Sequence, residues 1–272
     1  MMPNARIRRG SLLIVPMLAL WAGPAFAQDV DRQVLNRGAV TPTFSGSEPN
    51  HIALGVGAAY MPSYQGSDKM RFLPIPAIDI KEGPFFANLR NGIGITPIDT
   101  KRFTIGASAM FVQGYRKKDA PPGIDRLKNG LGARIFATVR AGGFIATVGG
   151  AKLVTGGAGG VIADMTVSHP IRITDRLYLT PTVGTTWADR RQNDRYFGIT
   201  PAESIASGLP QFSTGAGFKD VSGALTASYR LTDHITFTAT GAATSLIGNV
   251  KDSPLVVKKT APSGIATITY RF

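Results

Sequence analysis

Apolar and polar residues take turns along most of this chain, and the step is two. Gly264–Phe272 displays it most plainly: Ala266, Ile268, Tyr270 and Phe272 fall on one face, Thr267, Thr269 and Arg271 on the other. Side chains of a β-strand point alternately to opposite faces, whereas a helix would group apolar residues three and four apart. An apolar face that ends in aromatics, opposite a polar face, suits a strand with lipid outside it and a lumen inside.

The alternation recurs from His51 onward and predicts strands over 52–60, 71–81, 85–89, 92–98, 103–111, 131–140, 144–154, 161–168, 177–187, 221–231, 235–243 and 264–272. In the first, Ala53, Gly55, Gly57 and Ala59 form a small-residue inward face. Pro74 and Pro76 predict a bulge or bend in the second, because each proline removes a ladder donor. Arg90-Asn91-Gly92 carries an Asn-Gly hairpin signal. The connections 81–84, 99–101, 141–143, 174–176 and 232–234 are short. Those at 61–70, 116–129, 190–211 and 249–263 are long, while 90–91 and 155–157 share their side; a short helix is expected near Pro201–Ala206. With both ends of the barrel on the short-turn side, the strand count is even. The expected fold is an all-β, transmembrane, antiparallel up-and-down β-barrel of about 12 strands over 51–272; ten result if 85–98 is a single strand and one further hairpin is absent.

Composition agrees. The chain has 272 residues, with 32 Gly, 18 Pro and no Cys. Mean hydropathy of +0.06 is too low for a bundle of membrane helices. Closure of a sheet must therefore stabilise an exported chain that has no disulfides. Residues 1–27 read as a cleaved secretory signal peptide: Arg6, Arg8 and Arg9, an apolar run from Leu12 to Trp21, then Ala25-Phe26-Ala27 before Gln28. Residues 28–50 are polar and aperiodic, and read as a flexible periplasmic segment. The net charge is +13, with Lys and Arg dispersed rather than interleaved with aromatics. An anionic lipid surface suits such a charge better than nucleic acid.

The alternation turns Arg134, Arg140, Arg230 and Arg271 inward with Asp164, as lumen-lining groups that either prefer anions or pair and plug the interior. Arg116, Lys117, Lys118, Arg190, Arg191 and Arg195 form basic loops suited to lipopolysaccharide phosphates. The three histidines, His51, His169 and His234, are isolated, so no metal ligand set or base–nucleophile pair is visible. Asp233-His234 and Ser168-His169 are neighbours in sequence, which on a strand sends them to opposite faces. Neither catalysis nor a cofactor is expected.

Tyr60-Met61-Pro62-Ser63-Tyr64-Gln65-Gly66-Ser67, followed by Arg71-Phe72-Leu73-Pro74-Ile75-Pro76, resembles the MltA-interacting protein (MipA/OmpV) family. Tyr196–Ile199, Ser207–Leu209, Gly215–Asp220, Asp252–Val256 and Tyr270-Arg271-Phe272 follow in the family's order. Met61 stands where that pattern has Trp. The resemblance implies an outer-membrane barrel with no catalytic motif. It also implies a scaffold joining a membrane-bound lytic transglycosylase to a bifunctional peptidoglycan synthase; other members resemble porin-like proteins or adhesins. A chain ending in Tyr270 and Phe272 also resembles the C-terminal signal read by the barrel-assembly machinery. The expected location is the outer membrane, and the alternatives to a scaffold are a small solute channel and a surface adhesin.

Overall fold

A computed structural model describes residues 50–272 except Gln113, Arg116, Arg126, Gly157 and Ala158; the expected signal peptide, nearly all of the 28–50 segment and Arg116 lie outside the described residues. The strands in chain order are β1 (His51–Pro62), β2 (Met70–Glu82), β3 (Phe85–Asn88), β4 (Gly92–Asp99), β5 (Phe103–Val112), β6 (Gly130–Ala141) and β7 (Phe144–Leu153). They continue with β8 (Val161–Ser168), β9 (Ile171–Arg172), β10 (Leu177–Ala188), β11 (Gly217–Arg230), β12 (Ile235–Leu246) and β13 (Thr260–Arg271). Each pairs antiparallel with its neighbour in sequence, except that β8 and β9 both pair with β10, and β13 returns to pair with β1, from Ala53↔Arg271 to Tyr60↔Gly264. Two-residue β9 resumes the path of β8 after His169-Pro170 and pairs with the same strand, β10, so thirteen strands make a closed barrel of twelve crossings.

Closure matters because a bilayer offers backbone amides no water, and only a sheet without edges satisfies them all. The side chains sort as the sequence predicts. Val56, Ile93, Ile135 and Val183 are each more than 60% exposed on the outer face. Inside, threonines face one another and bond: Thr138 with Thr147 and Thr226 with Thr240 at 2.9 Å, and Ser228 with Thr238 at 3.4 Å. Outward aromatics gather at both rims. Phe103, Phe144, Tyr270 and Phe272 lie at the short-turn end, and Tyr60, Phe72 and Phe218 at the long-loop end. Paired girdles of this kind mark the two membrane interfaces of a lipid-facing barrel.

The bulge expected at Pro74 and Pro76 is absent. The β1–β2 register runs unbroken through Val56↔Pro76 and Ala58↔Pro74, with no bulge. The reason lies in which side each amide faces. Ser63 N donates to Lys69 O (2.9 Å) at the head of this hairpin, so the odd-numbered residues of β2 bond to β1. Even-numbered residues turn toward β3, which reaches only from Asp79 to Glu82. Pro74 and Pro76 therefore delete two donors from a stretch that has no ladder partner among the described residues. The register shifts occur elsewhere, between Ile95 and Ile98 at Pro97, and opposite Thr186-Trp187. Pro74→Val with Pro76→Val is expected to destabilise the folded barrel in detergent by about 1–3 kcal/mol per unpaired amide, read as a lower urea midpoint. An unchanged midpoint would contradict this explanation.

Candidate functional site

The long loops do not stand up from the barrel; they fold into its mouth. Between β10 and β11 the chain makes α1 (Arg190–Phe197) and α2 (Pro201–Ser207). Asp189 caps α1 by accepting from Gln192 N, and Thr200 and Glu203 form a reciprocal capping box on α2. From α1 and the link that follows it, Tyr196, Phe197 and Ile199 meet Ile124 and Leu127 of the 113–129 loop, and Val250 and Leu255 of the 247–259 loop. Phe197 and Ile124 are 1% exposed.

Polar links lock the apolar contacts. Tyr64 Oη donates to Leu255 O (3.0 Å), Gln65 N to Tyr196 Oη (3.1 Å), Ser253 Oγ to Phe197 O (2.6 Å) and Val257 N to Gly66 O (2.8 Å). Gly66 has φ +98 and lies against Val256, a place where a Cβ would be both strained and crowded. Lys219 is 1% exposed; its Nζ donates to Gln65 Oε1 (2.9 Å) and lies 5.7 Å from the Tyr196 ring centre. Asp125 N donates to the Glu203 carboxylate (3.3 Å), joining the 113–129 loop to α2. Four loops thus form one interlocked plug.

Burial, with the nearby Glu203 carboxylate, pushes the Tyr115 hydroxyl up to about 12. Burial works against the Glu203 carboxylate, but hydrogen bonds from Thr200 and from Asp125 N outweigh it and hold Glu203 below its usual range. A packed loop holds the Tyr115 proton more tightly than a released loop does, so this contribution is complete below about pH 10 and is lost as pH rises toward about 12. Limited proteolysis of the loops is expected to accelerate across that window, and Tyr115→Phe to weaken that dependence, leaving the part due to Tyr64, whose hydroxyl burial also pushes up.

Beneath the plug, Arg134 (4% exposed) grips Asp164 with both terminal nitrogens, Nη2 to Oδ2 at 2.9 Å. Gly149 faces the guanidinium, where a Cβ would collide with it. The β3–β4 hairpin is short, and its tip turns inward. Arg90 Nη2 donates to Thr166 Oγ1 on β8 (2.6 Å). Below this level a cavity with about 160 Å³ of space for the centres of water-sized molecules extends toward the short-turn end. Its walls include Thr104, Thr138, Thr147, Thr180, Thr238 and Thr267, with the edge-to-face pair Phe86–Phe136 (5.8 Å). Near its opening, His51 stands 3.5 Å from Asp79, and Lys81 pairs with Asp99. Among the described residues no group of three or more His, Asp or Glu is placed to hold a metal ion.

A family model described as MltA-interacting protein MipA matches residues 54–272. The chain belongs to this family. It is 25% identical over 244 residues to "Putative outer membrane protein YiaT" of Escherichia coli strain K12, covering 85% of this chain and 95% of that one. It is 32% identical over 96 residues to the "MltA-interacting protein" of the same strain, covering 35% and 38%. A solved outer membrane channel from Pseudomonas putida F1 is 8% identical at a TM-score of 0.44, covering 86% of this chain and all of that one. This MipA-family barrel sits in the outer membrane, as its relatives' descriptions and its lipid-facing architecture require. Outer-membrane barrels keep short turns in the periplasm and long loops outside, so the plug closes the extracellular mouth and the cavity faces the periplasm.

The stretches behind the MipA-family resemblance converge on the plug. Tyr64, Gln65, Gly66, Tyr196, Phe197, Lys219, Ser253 and Leu255 are its interlocking residues. Met61, in place of the family's Trp, is fully buried beside Leu73 and Ile75 rather than on a loop surface.

Of the expected lumen residues, Arg134 and Asp164 meet at mid-height, and Arg140 lines the cavity with Nη1 donating to Thr104 Oγ1 (2.8 Å). Arg230 and Arg271 share the inward parity but stand exposed at the periplasmic rim, outside the cavity lining; Arg230 Nη2 donates to Asp175 O (2.7 Å). Lys117, Lys118, Arg190, Arg191 and Arg195 are exposed on the extracellular loops, where Arg190 pairs with Asp194 (3.2 Å). Tyr270 and Phe272 face outward at the seam; Tyr270 stacks on His234, and Phe272 N donates to Ile52 O (3.0 Å). The sequence reading missed Arg90. Its place in a hairpin turn suggested solvent, and only the shortness of β3 signalled a tip low enough to enter the lumen.

Proposed function

We propose that this barrel is a non-enzymatic, non-conducting outer-membrane anchor that holds peptidoglycan-remodelling enzymes, a lytic transglycosylase and a murein synthase, at its periplasmic end. The observation that carries this reading is the polarity of the lumen: an interlocked apolar plug on the extracellular side and a cavity open on the periplasmic side. A relative's name, MltA-interacting protein, supplies the class of partner. The periplasmic turns and residues 28–50 make the contact, and the leader over 1–27 directs export. The basic rim at Lys117, Lys118, Arg190, Arg191 and Arg195 meets lipopolysaccharide phosphates, while Tyr270 and Phe272 engage the barrel-assembly machinery.

A pull-down from native membranes with mass-spectrometric identification tests the anchor. Enrichment of a transglycosylase or synthase, lost on deleting residues 28–50, is the expected result; enrichment of neither would overturn it. The hydroxyl-lined lower lumen favours a second reading, a gated channel for small polar solutes. Steady conductance of the unmodified barrel would support that reading instead.

A further inference from the structure

We propose that the periplasm-facing cavity binds an acidic saccharide, a hydroxyl-bearing ring that carries a carboxylate. The cavity is a pocket rather than a passage, because the interlocked loops close the lumen above it, with the inward tip Arg90-Asn91 lining its upper end beside the Arg134–Asp164 pair. A molecule entering from the periplasm is held there.

The wall chemistry selects the ring. Threonines from β5, β6, β7, β10, β12 and β13 present hydroxyls from all around the cavity. Each hydroxyl donates and accepts and can rotate to suit, which matches the mixed donors and acceptors of a sugar. Thr180 is 2% exposed and its Oγ1 has no hydrogen-bond partner among the described residues; the buried Oδ1 of Asn91, at the roof, also has none. A buried polar atom left unpaired is costly, and a ligand hydroxyl or amide relieves it. Phe86 and Phe136 add an apolar surface for the C–H face of a ring.

The charges select the carboxylate. Near the mouth His51 stands 3.5 Å from Asp79, Lys81 pairs with Asp99, and Arg140 donates to Thr104. At the roof two guanidiniums share one carboxylate: Arg134 occupies both oxygens of Asp164, and the described bond of Arg90 goes to Thr166. Arg90 thus brings one positive charge in excess of the single carboxylate at the roof into a half-buried position, where a charge-assisted hydrogen bond to a ligand anion is stronger than in bulk water.

The test is calorimetric titration of the purified barrel in detergent with N-acetylmuramic acid, N-acetylglucosamine and acetate. Saturable binding of N-acetylmuramic acid is expected, with N-acetylglucosamine weaker by about tenfold or more for want of the carboxylate, and acetate giving no saturable signal. Arg90→Gln is expected to remove the preference between the two sugars, and Thr180→Val to weaken both alike; heat-modifiable gel mobility confirms that each variant is folded. Equal binding of the two sugars, saturable binding of acetate, an unchanged preference in a folded Arg90→Gln barrel, or no binding of either sugar would overturn the proposal. The titration involves no partner enzyme, so its failure is distinguishable from that of the pull-down.

Discussion

In planar bilayers the unmodified barrel is expected to stay silent, and a variant with residues 190–211 replaced by a short Gly-Ser linker is expected to conduct. The replaced segment carries α1, α2 and the side chains of Tyr196, Phe197 and Ile199 at the centre of the plug. Removing it strands Ser253 Oγ and Gln65 N, whose bonds go to Phe197 O and Tyr196 Oη, and exposes Ile124, Val250 and Leu255. The remaining loops then lack the apolar burial that offsets their ordering entropy. The barrel wall survives, because none of its ladders involves 190–211. Below the breach, Arg90 and Arg134 face the opening, so the new current is expected to prefer anions. A conducting unmodified barrel, or a folded deletion variant that stays silent, would contradict the plug.

Asp164→Ala is expected to be the most damaging single substitution in the lumen, and worse than Arg134→Ala. Without Asp164, buried Arg134 and half-buried Arg90 lie within electrostatic reach of each other, and neither has another carboxylate in an ion pair among the described residues. Breaking a buried pair from one side costs about 3–5 kcal/mol, largely from the charge left behind. Losing Arg134 is milder, since Arg90 lies within electrostatic reach of Asp164 and takes over as its counter-charge. Replacing Arg134 by Met and Asp164 by Leu together removes both desolvation penalties and is expected to recover much of the loss. Urea midpoints of the four proteins decide the order. An Asp164→Ala barrel as stable as the parent would mean that the pair does not hold the lumen together.

The wall was legible because a bilayer enforces a two-phase code on every crossing. Thr236, Thr238 and Thr240 could only face inward if Phe237 and Ala239 faced lipid, and they do. Short and long connections were legible for the same reason. The plug was not, because residues in an inward-folded loop follow no period. Gln192, Asn193, Lys219 and Asp220 are of residue types that usually face solvent, yet all are nearly or fully buried. The basic run Arg190-Arg191 hid the first helix, although Asp189 three residues before Gln192 is an N-cap signal. Pro74 and Pro76 misled because the register decides whether a proline's missing donor was ever needed, and which amides of β2 face β1 and which face β3 is set by pairing rather than by the local pattern.

The chain has no cysteine, so single introduced thiols report access without background. A bulky membrane-impermeant maleimide applied to intact cells, and then to cells with a permeabilised outer membrane, tests the central claim at Thr147, on the cavity wall. Thr147→Cys is expected to be unreactive from outside and to label once the periplasm is opened, while a lipid-facing Ile135→Cys labels in neither. Labelling of Thr147→Cys from the cell exterior would contradict a barrel plugged at its outer mouth and open below.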